Sequence, residues 1–270
     1  MNPTWTGDAP PPPRRLGAGD WWRVLRRGVP VALVTFGGLG LHLVLRGIER
    51  PLHGARRPWT PHVTRTVCRV NLRLLGIETQ HLGAPAPVPA VLVANHSSWL
   101  DIFALNAGQT LVFVSKAEVA RWPGIGWLAR ATGTVFIRRD AREAGAQVAV
   151  LRARSGQGER LVLFPEGTSS DGRRVLPFKP ALFAAFAGDA VPGLVVQPVT
   201  IRWQAPEGED ARFYGWWGDM ALGPHLLRVL AEPRQGRLQV IRHAAFAPSA
   251  GRKEIAAEAE AAVRAGFSRP

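Results

Sequence analysis

Residues 91–105 read VLVANHSSWLDIFAL, a stretch in which an apolar run meets polar residues and then turns apolar again. The first run ends at Asn95 and His96, and its composition is typical of a buried strand. A helix is predicted to begin close to Asp101, five residues after the histidine. A buried strand that leads directly into a helix favours an α/β fold, in which ligands collect at the carboxyl ends of the strands.

Short apolar runs alternate with helical segments over the rest of the chain. We predict strands at 90–94, 111–115, 134–138, 160–164, 194–203 and 237–243. We predict helices at 99–107, 124–131, 140–154, 179–187, 222–231 and 252–265. This alternation predicts one α/β domain over residues 83–270, with a mixed, largely parallel sheet flanked by helices.

The chain is strongly basic, with a formal net charge of +14 and a pI of about 11.5. Residues 1–80 hold twelve arginines and four acids, so +8 of this charge lies in the N-terminal part. Such an excess predicts an acidic partner: nucleic acid, an anionic membrane or an acidic protein. The single cysteine, Cys68, excludes a disulfide framework and a cysteine-rich metal site. No H-E-x-x-H motif is present either, so no metal site is predicted.

The N-terminal region combines a proline-rich tail with the most apolar stretch of the chain. Residues 1–19 cannot bury enough apolar surface to order themselves, which predicts a flexible tail. The uncharged run 29–45 would extend about 26 Å as a helix, slightly less than the roughly 30 Å hydrocarbon core of a bilayer. Arginines flank both ends, so we interpret the run as a membrane-embedded helix, either spanning or re-entrant. The alternative is a buried core helix.

Residues 60–75 form a second candidate membrane-binding helix. Their valines and leucines recur at helical spacing, and Arg65, Arg69 and Arg73 fall together on another side. This pattern is typical of a basic amphipathic helix on an anionic bilayer, although a surface helix packed on the domain has the same pattern. We therefore assign residues 20–82 to N-terminal membrane-associated helices.

His96 and Asp101 are suited to general-base chemistry. An imidazole can take the proton of an attacking hydroxyl, and a neighbouring carboxylate can fix its tautomer and stabilise the imidazolium. Two alternatives stay open. Ser98-x-x-Asp101 also fits a capping box at a helix start, and His96 also suits a structural role at a strand end. A serine nucleophile, Ser97 or Ser98, is disfavoured because no G-x-S-x-G elbow is present.

Several stretches together resemble the glycerolipid acyltransferase family, in the order in which the family carries them. They are NHSSWLD (95–101), SKAEV (115–119), GTVFIRRD (133–140), FPEGTSSDG (164–172) and VVQPVTI (195–201). The type member of the family acylates 1-acylglycerol-3-phosphate to phosphatidic acid. The later stretch RFYGWWGDMALGPHLL (212–227) resembles, more narrowly, the branch that acylates lyso-ornithine lipid.

The resemblance implies a membrane-associated O-acyltransferase that moves a fatty acyl group from an acyl thioester to the free hydroxyl of a lysolipid. His96 would be the general base and Asp101 its orienting carboxylate. The implied substrate-binding residues are Lys116, Phe136, Ile137, Arg138, Arg139, Glu166, Gly167, Thr168 and Lys179. The co-substrate would be an acyl carrier protein or coenzyme A thioester, with no other cofactor. The enzyme would lie on the cytoplasmic face of the cell inner membrane.

Two departures from the family pattern bear on the acceptor. The family usually has arginine after E-G-T, where this chain has Ser169, and the glycine of F-K-x-G is replaced by Ala181. The loss of a phosphate-facing arginine favours a head group other than phosphate.

Two other classes of function stay as alternatives. The net charge suggests a basic nucleic-acid-binding protein, but its excess lies beside the apolar N-terminal region and no binding motif is present, so we predict no nucleic-acid partner. The pattern of Gly124, Gly126 and Ala129 resembles a dinucleotide-binding turn of a nicotinamide-dependent enzyme. Trp122-Pro123 precedes that pattern instead of a strand. Taken alone, P-E-G and F-I-R-R are also explained by an exposed turn and by solvated arginines.

Overall fold

One seven-stranded sheet forms the centre of the molecule in the computed structural model, which describes residues 5–7, 9–12, 15–138, 142–188, 191–248 and 251–268. The strands are β1 (Glu78–Leu82), β2 (Ala90–Ala94), β3 (Val112–Lys116), β4 (Val135–Ile137), β5 (Arg160–Leu163), β6 (Val195–Gln204) and β7 (Arg237–Arg242). The α-helices are α1 (Ala18–His53), α2 (Thr60–Leu75), α3 (Asp101–Gly108), α4 (Ile125–Ala131), α5 (Ala144–Gly156), α6 (Leu222–Ala231) and α7 (Arg252–Phe267). Two short 3₁₀ helices are Ala117–Arg121 and Pro180–Phe183.

The strand order is β1-β7-β6-β2-β5-β3-β4. Strands β6, β2, β5, β3 and β4 run parallel to one another, β7 is antiparallel to β6, and β1 is parallel to β7. The prediction of a mixed, largely parallel sheet flanked by helices is therefore confirmed. The five parallel strands end along one edge of the sheet, which is where such sheets place their binding loops.

Helices cover both faces of this sheet. On one face, α2, α3 and α6 bury Leu72, Leu105 and Val229 against the strands. On the other face, α5 and α7 bury Leu151 and Ile255. Successive side chains of a strand point to opposite faces, so each central strand supplies alternate residues to the two cores. This double burial explains why the central strands read as continuous apolar runs.

The edge strand β1 is an element that the sequence does not predict. Its residues alternate between exposed and half-buried, so it offers no apolar run. It belongs to the segment 20–82 that the sequence assigns to the N-terminal helices. The sheet therefore begins before the predicted domain boundary at residue 83.

The helix predicted at 179–187 is wrong, because only the 3₁₀ turn Pro180–Phe183 forms there. Phe183 and Phe186 both insert fully into the core. The guanidinium of Arg152 also donates to the Ala185 carbonyl at 3.1 Å, which occupies an oxygen that a continuing helix would use. Core packing thus overrides the helical spacing of this segment.

Helix α1 faces the protein with polar side chains and faces outward with apolar ones. Its buried residues are Asp20, Val24, Arg27, His42 and Glu49. Its exposed apolar residues include Trp22, Leu33, Phe36, Val44 and Leu52. The most apolar 18-residue window has a mean hydropathy of 1.8, and 6% of it is buried. By length and composition, α1 is the one helix in the described part of the chain that could cross a membrane.

Helix α2 packs between α1 and α3, as in the surface-helix alternative left open by the sequence. Cys68, Leu72 and Leu75 are buried in the core. The crossing with α1 is close, because a Cβ atom at Gly38 would lie 2.3 Å from Val67 Cγ2. Any larger residue at that point of α1 would therefore force the Val67 side chain to move.

Candidate active site

Two loops of the site follow neighbouring parallel strands. Strand β2 ends two residues before His96, β5 ends three residues before Glu166, and the two strands pair directly. The His96 amide donates to Glu166 Oε1 at 3.1 Å. The amide of Ser170 donates to the His96 carbonyl at 2.9 Å. The loop after β5 is therefore hydrogen-bonded to the backbone of the loop after β2 that carries His96.

His96 and Asp101 form a hydrogen-bonded pair, with 2.8 Å between Nδ1 and Oδ2. The Asp101 side chain is fully buried, whereas 20% of the His96 side chain is exposed. A carboxylate can only accept, so the ring carries its proton on Nδ1 and a neutral ring keeps its lone pair on Nε2. The ring also stacks on Phe164, with centroids 4.1 Å apart and an interplanar angle of 18°. The pair thus has the geometry of an oriented general base.

Three more donors hold the Asp101 carboxylate. The amides of Ser97 and Ser98 donate to Oδ2 at 2.8 and 2.9 Å, and Trp203 Nε1 donates to Oδ1 at 2.7 Å. The bond from the Ser98 amide is half of a capping box, but the Ser98 hydroxyl accepts from the Leu100 amide instead of completing the box. One carboxylate therefore orders the helix start and orients the imidazole. Ser97 and Ser98 are themselves buried, which does not suit a nucleophile.

Glu166 is a buried acid, not the exposed turn residue that a lone P-E-G suggests. Only 1% of it is exposed. Burial raises its pKa well above the ordinary value, and the negative charge of Asp101 raises it further, against the opposing bond from the His96 amide. The site therefore favours the neutral carboxyl at this position.

The residues after Glu166 continue the site. Gly167 has a φ of +68°, and a Cβ atom there would lie 2.7 Å from Lys179 Nζ. The positive φ favours glycine, and the short distance shows that the Lys179 side chain lies against the E-G-T turn. Thr168 Oγ1 accepts a hydrogen bond from the Trp5 amide at 3.4 Å. Four of the predicted binding residues, Glu166, Gly167, Thr168 and Lys179, therefore lie together at this turn, and Glu166 joins the turn to the His96 amide.

Comparison with known proteins decides the family. Residues 79–202 match the family model described as Acyltransferase. The chain is 54% identical over 268 residues to a Rhodobacter capsulatus protein named lyso-ornithine lipid O-acyltransferase, covering 98% of this chain and 97% of that one. The chain belongs to the acyltransferase family.

Two more distant proteins are similar to this acyltransferase. A Neisseria gonorrhoeae protein named 1-acyl-sn-glycerol-3-phosphate acyltransferase is 36% identical over 136 residues, which cover 50% of this chain and 52% of that one. The crystal structure of the 1-acyl-sn-glycerophosphate acyltransferase PlsC from Thermotoga maritima has a TM-score of 0.61. It is 21% identical and covers 92% of this chain and 95% of that one, so it shows the shared fold.

Other predicted binding residues lie farther along the same sheet edge of the acyltransferase. Lys116 ends β3 and pairs with Ile137 of β4, next to Phe136. Neighbouring strands lie about 4.8 Å apart, so β4 is roughly 14 Å from β2 and the dyad. Arg138 pairs with Glu143 at 3.0 Å and 66% of its side chain is exposed, which agrees with a solvated arginine. Arg139 lies outside the described residues.

Neither a metal cluster nor a dinucleotide-binding turn appears in the part of the acyltransferase that the structure describes. Within those ranges no group of three His, Cys, Asp or Glu residues could hold a metal ion. Helix α4, with its glycine pattern, follows the 3₁₀ helix Ala117–Arg121 and not a strand. It therefore lacks the strand-turn-helix context that the dinucleotide motif needs.

Three residues that build the site are missed by the sequence analysis. Asn95 accepts from the Ile201 amide at 2.8 Å and donates to the Ile201 carbonyl at 2.9 Å, which clamps β2 to β6. Phe164 supports the imidazole face, and its place directly before P-E-G is the signal that could have identified it. Trp203 contacts Asp101 from β6, 102 residues away in sequence, and no local sequence pattern predicts that contact.

Proposed function

We propose that this acyltransferase moves a fatty acyl group from an acyl thioester to the free hydroxyl of lyso-ornithine lipid. The observation that carries the proposal is the partly exposed imidazole of His96, oriented through Nδ1 by buried Asp101. The Rhodobacter capsulatus relative is named for activity on this acceptor, and it is similar to this protein over nearly the whole chain. The Neisseria relative, named for a phosphate acceptor, matches only half of the chain. Ser169, in place of the arginine that the family pattern has after E-G-T, also supports an acceptor other than a phosphate.

The chemistry needs one proton acceptor and no covalent acyl-enzyme. His96 Nε2 takes the proton of the acceptor hydroxyl while the hydroxyl oxygen forms a bond to the thioester carbonyl carbon. The tetrahedral intermediate then expels the thiolate, and the imidazolium gives its proton to the leaving sulfur. Asp101 stabilises the transient positive charge on the ring through the Nδ1 bond. The products are the ester and a free thiol of acyl carrier protein or coenzyme A.

We propose that the enzyme lies on the cytoplasmic face of the cell inner membrane, and the shape of α1 supports attachment to a single leaflet of a bilayer. Arg27 bonds to carbonyls at the end of α6, Asn71 of α2 bonds to Thr35, and Glu49 accepts from Thr60. These contacts fasten the inner face of α1 along its length to the domain. The apolar face of α1 therefore points away from the domain along the length of the helix, which suits a helix that lies in the membrane plane instead of crossing it.

The acceptor is tested with purified enzyme in mixed micelles, a labelled acyl thioester and two acceptors at equal concentration. We expect acylation of lyso-ornithine lipid with a kcat/KM at least tenfold above that for 1-acylglycerol-3-phosphate. Acyl carrier protein and coenzyme A thioesters are compared as donors in the same assay. Preference for the phosphate acceptor would overturn the proposed function.

The membrane attachment is tested by adding charge to the outer face of α1. Leu33 and Val44 are exposed apolar residues on that face, so Leu33→Glu with Val44→Glu should release the protein from anionic vesicles in a flotation assay. Ala261→Glu with Ala265→Glu, on the exposed side of α7, is the matched control with the same added charge and should stay bound. Equal flotation of both variants would show that α1 does not hold the protein on the membrane.

A further inference from the structure

A charged pocket borders the loop that carries His96. It is lined by Asp171, Arg173, Arg174, Asp210, Ala211 and Arg212. Its first wall, the loop after Glu166, is tied to the catalytic loop, because a Cβ atom on Gly172 would lie 3.4 Å from Ser97 Cβ. Its second wall is also tied to that loop, because the Trp216 amide donates to the Ser97 carbonyl at 2.7 Å. A group bound in the pocket would therefore lie beside the loop that carries His96.

Two ion pairs line the pocket, and they present opposite charges to solvent. Arg174 pairs with Asp171 at 2.9 Å, and the side-chain exposures are 50% and 1%. Arg212 pairs with Asp210 at 2.8 Å, and the exposures are 20% and 35%. In the first pair a buried acid holds an exposed guanidinium. In the second pair the arginine is the more buried member and the carboxylate is exposed. With Arg173, which is also exposed, the pocket offers two guanidiniums on one wall and one carboxylate on the other.

Two indoles hold the guanidiniums of these pairs. Arg174 lies 5.3 Å from the ring centroid of Trp5, and Arg212 lies 5.8 Å from that of Trp217. The two indoles are 6.2 Å apart, and Trp217 Nε1 donates to the Thr6 carbonyl at 3.2 Å. Part of the segment predicted as a flexible tail therefore packs against both ion pairs and fixes their spacing.

We infer that this pocket binds the zwitterionic head group of lyso-ornithine lipid, an inference that rests on the proposed function. The α-amine of that lipid is tied up in its amide bond, which leaves one carboxylate and one δ-ammonium. The carboxylate binds the exposed guanidinium of Arg174, and the ammonium binds the carboxylate of Asp210. Asp210 is ionised across the physiological range, because its bonds to Arg212 lower its pKa to about 2.

The same pair of charges discriminates against a phosphomonoester head group. Such a group carries only negative charge, so it gains from Arg173 and Arg174 but is repelled by Asp210, which it leaves without a cationic ligand group. A specificity device of this kind works through the unfavourable contact as much as through the favourable one. Asp210 is then a specificity-determining residue that takes no part in proton transfer.

The test compares two acceptors that differ only in the ammonium group: N-(3-hydroxyacyl)ornithine and N-(3-hydroxyacyl)norvaline. We expect the wild-type enzyme to prefer the ornithine acceptor by about 10- to 100-fold in kcat/KM, as a charge-assisted hydrogen bond predicts. Asp210→Asn keeps the shape and an acceptor for Arg212, and it should reduce that preference below threefold, mainly through KM. Glu207→Gln, an exposed acid of the same loop outside the pocket, should retain the wild-type preference.

Each result of this comparison is decisive. A wild-type enzyme that uses both acceptors equally would overturn the pocket inference while leaving the proposed function intact. So would an Asp210→Asn variant that keeps the full preference or loses both activities in proportion. A wild-type enzyme that acylates neither acceptor but acylates 1-acylglycerol-3-phosphate would overturn the proposed function, and the head-group assignment with it.

Discussion

The bond between Trp203 and Asp101 is testable as a thermodynamic cycle. Trp203→Phe removes an indole N–H that donates to Asp101 Oδ1 at 2.7 Å. The carboxylate is fully buried, so no solvent replaces the lost donor. A hydrogen bond to a charged group contributes about 1.5–3 kcal/mol, so kcat should fall about 10- to 100-fold if the bond orients the catalytic carboxylate.

The partner variant is Asp101→Asn. Its amide oxygen best occupies the Oδ2 position, where the ring and two backbone amides donate, so the amide NH₂ must face the indole N–H of Trp203. The ring then loses the negative charge that stabilises its protonated form, and turnover should fall roughly 10²- to 10⁴-fold. Adding Trp203→Phe to this variant removes the clash of two donors. The second substitution should then cost less than threefold, or restore some activity.

The assay measures kcat for the two single variants, the double variant and the wild type with both substrates saturating. Trp127→Phe, an indole that is 60% exposed, serves as the control for loss of ring volume. Circular dichroism and Tm verify that each variant is folded. Additive losses in the double variant would refute the claim that Trp203 acts through Asp101.

Three further outcomes concern Glu166 and two glycines, Gly167 and Gly145. In the folded protein the pKa of Glu166 is raised above its ordinary value of 4.5, so wild-type stability falls as the pH rises above that value. Glu166→Gln should therefore gain Tm relative to wild type between pH 5 and pH 8, and a difference independent of pH contradicts this. Gly167→Ala should lower stability by about 1–2 kcal/mol and displace Lys179, because of its positive φ and the 2.7 Å approach. Gly145→Ala in α5, where no heavy atom lies within 4 Å of the new Cβ atom, should instead stabilise by about 0.5–1 kcal/mol, and an equal loss at both glycines would contradict the strain argument.

The central strands and the dyad could be predicted because their signals are local. Strand β2 is buried on both faces and therefore reads as an apolar run, and His96 follows it within two residues. Asp101 lies one turn later at a helix start, so the pair needs no long-range information. The E-G-T turn is predictable for the same reason, since the buried strand β5 delivers Glu166 to the same edge.

The remaining features depend on contacts between distant parts of the chain. Trp203 reaches Asp101 from another strand, and Trp5 meets Trp217 across most of the sequence. The segment after Lys179 has helical spacing, yet the burial of Phe183 in the core decides its conformation. Strand β1 pairs only at the sheet edge, where its exposed residues leave no apolar pattern.

The most direct test of the catalytic account is the turnover of His96→Ala with both substrates saturating. The account predicts a fall of at least 100-fold in kcat, because a positioned general base contributes about 10²- to 10⁴-fold to the rate. Binding of the acyl thioester, measured by equilibrium methods, should stay unchanged. Turnover within threefold of wild type would contradict the assignment of His96 as the general base.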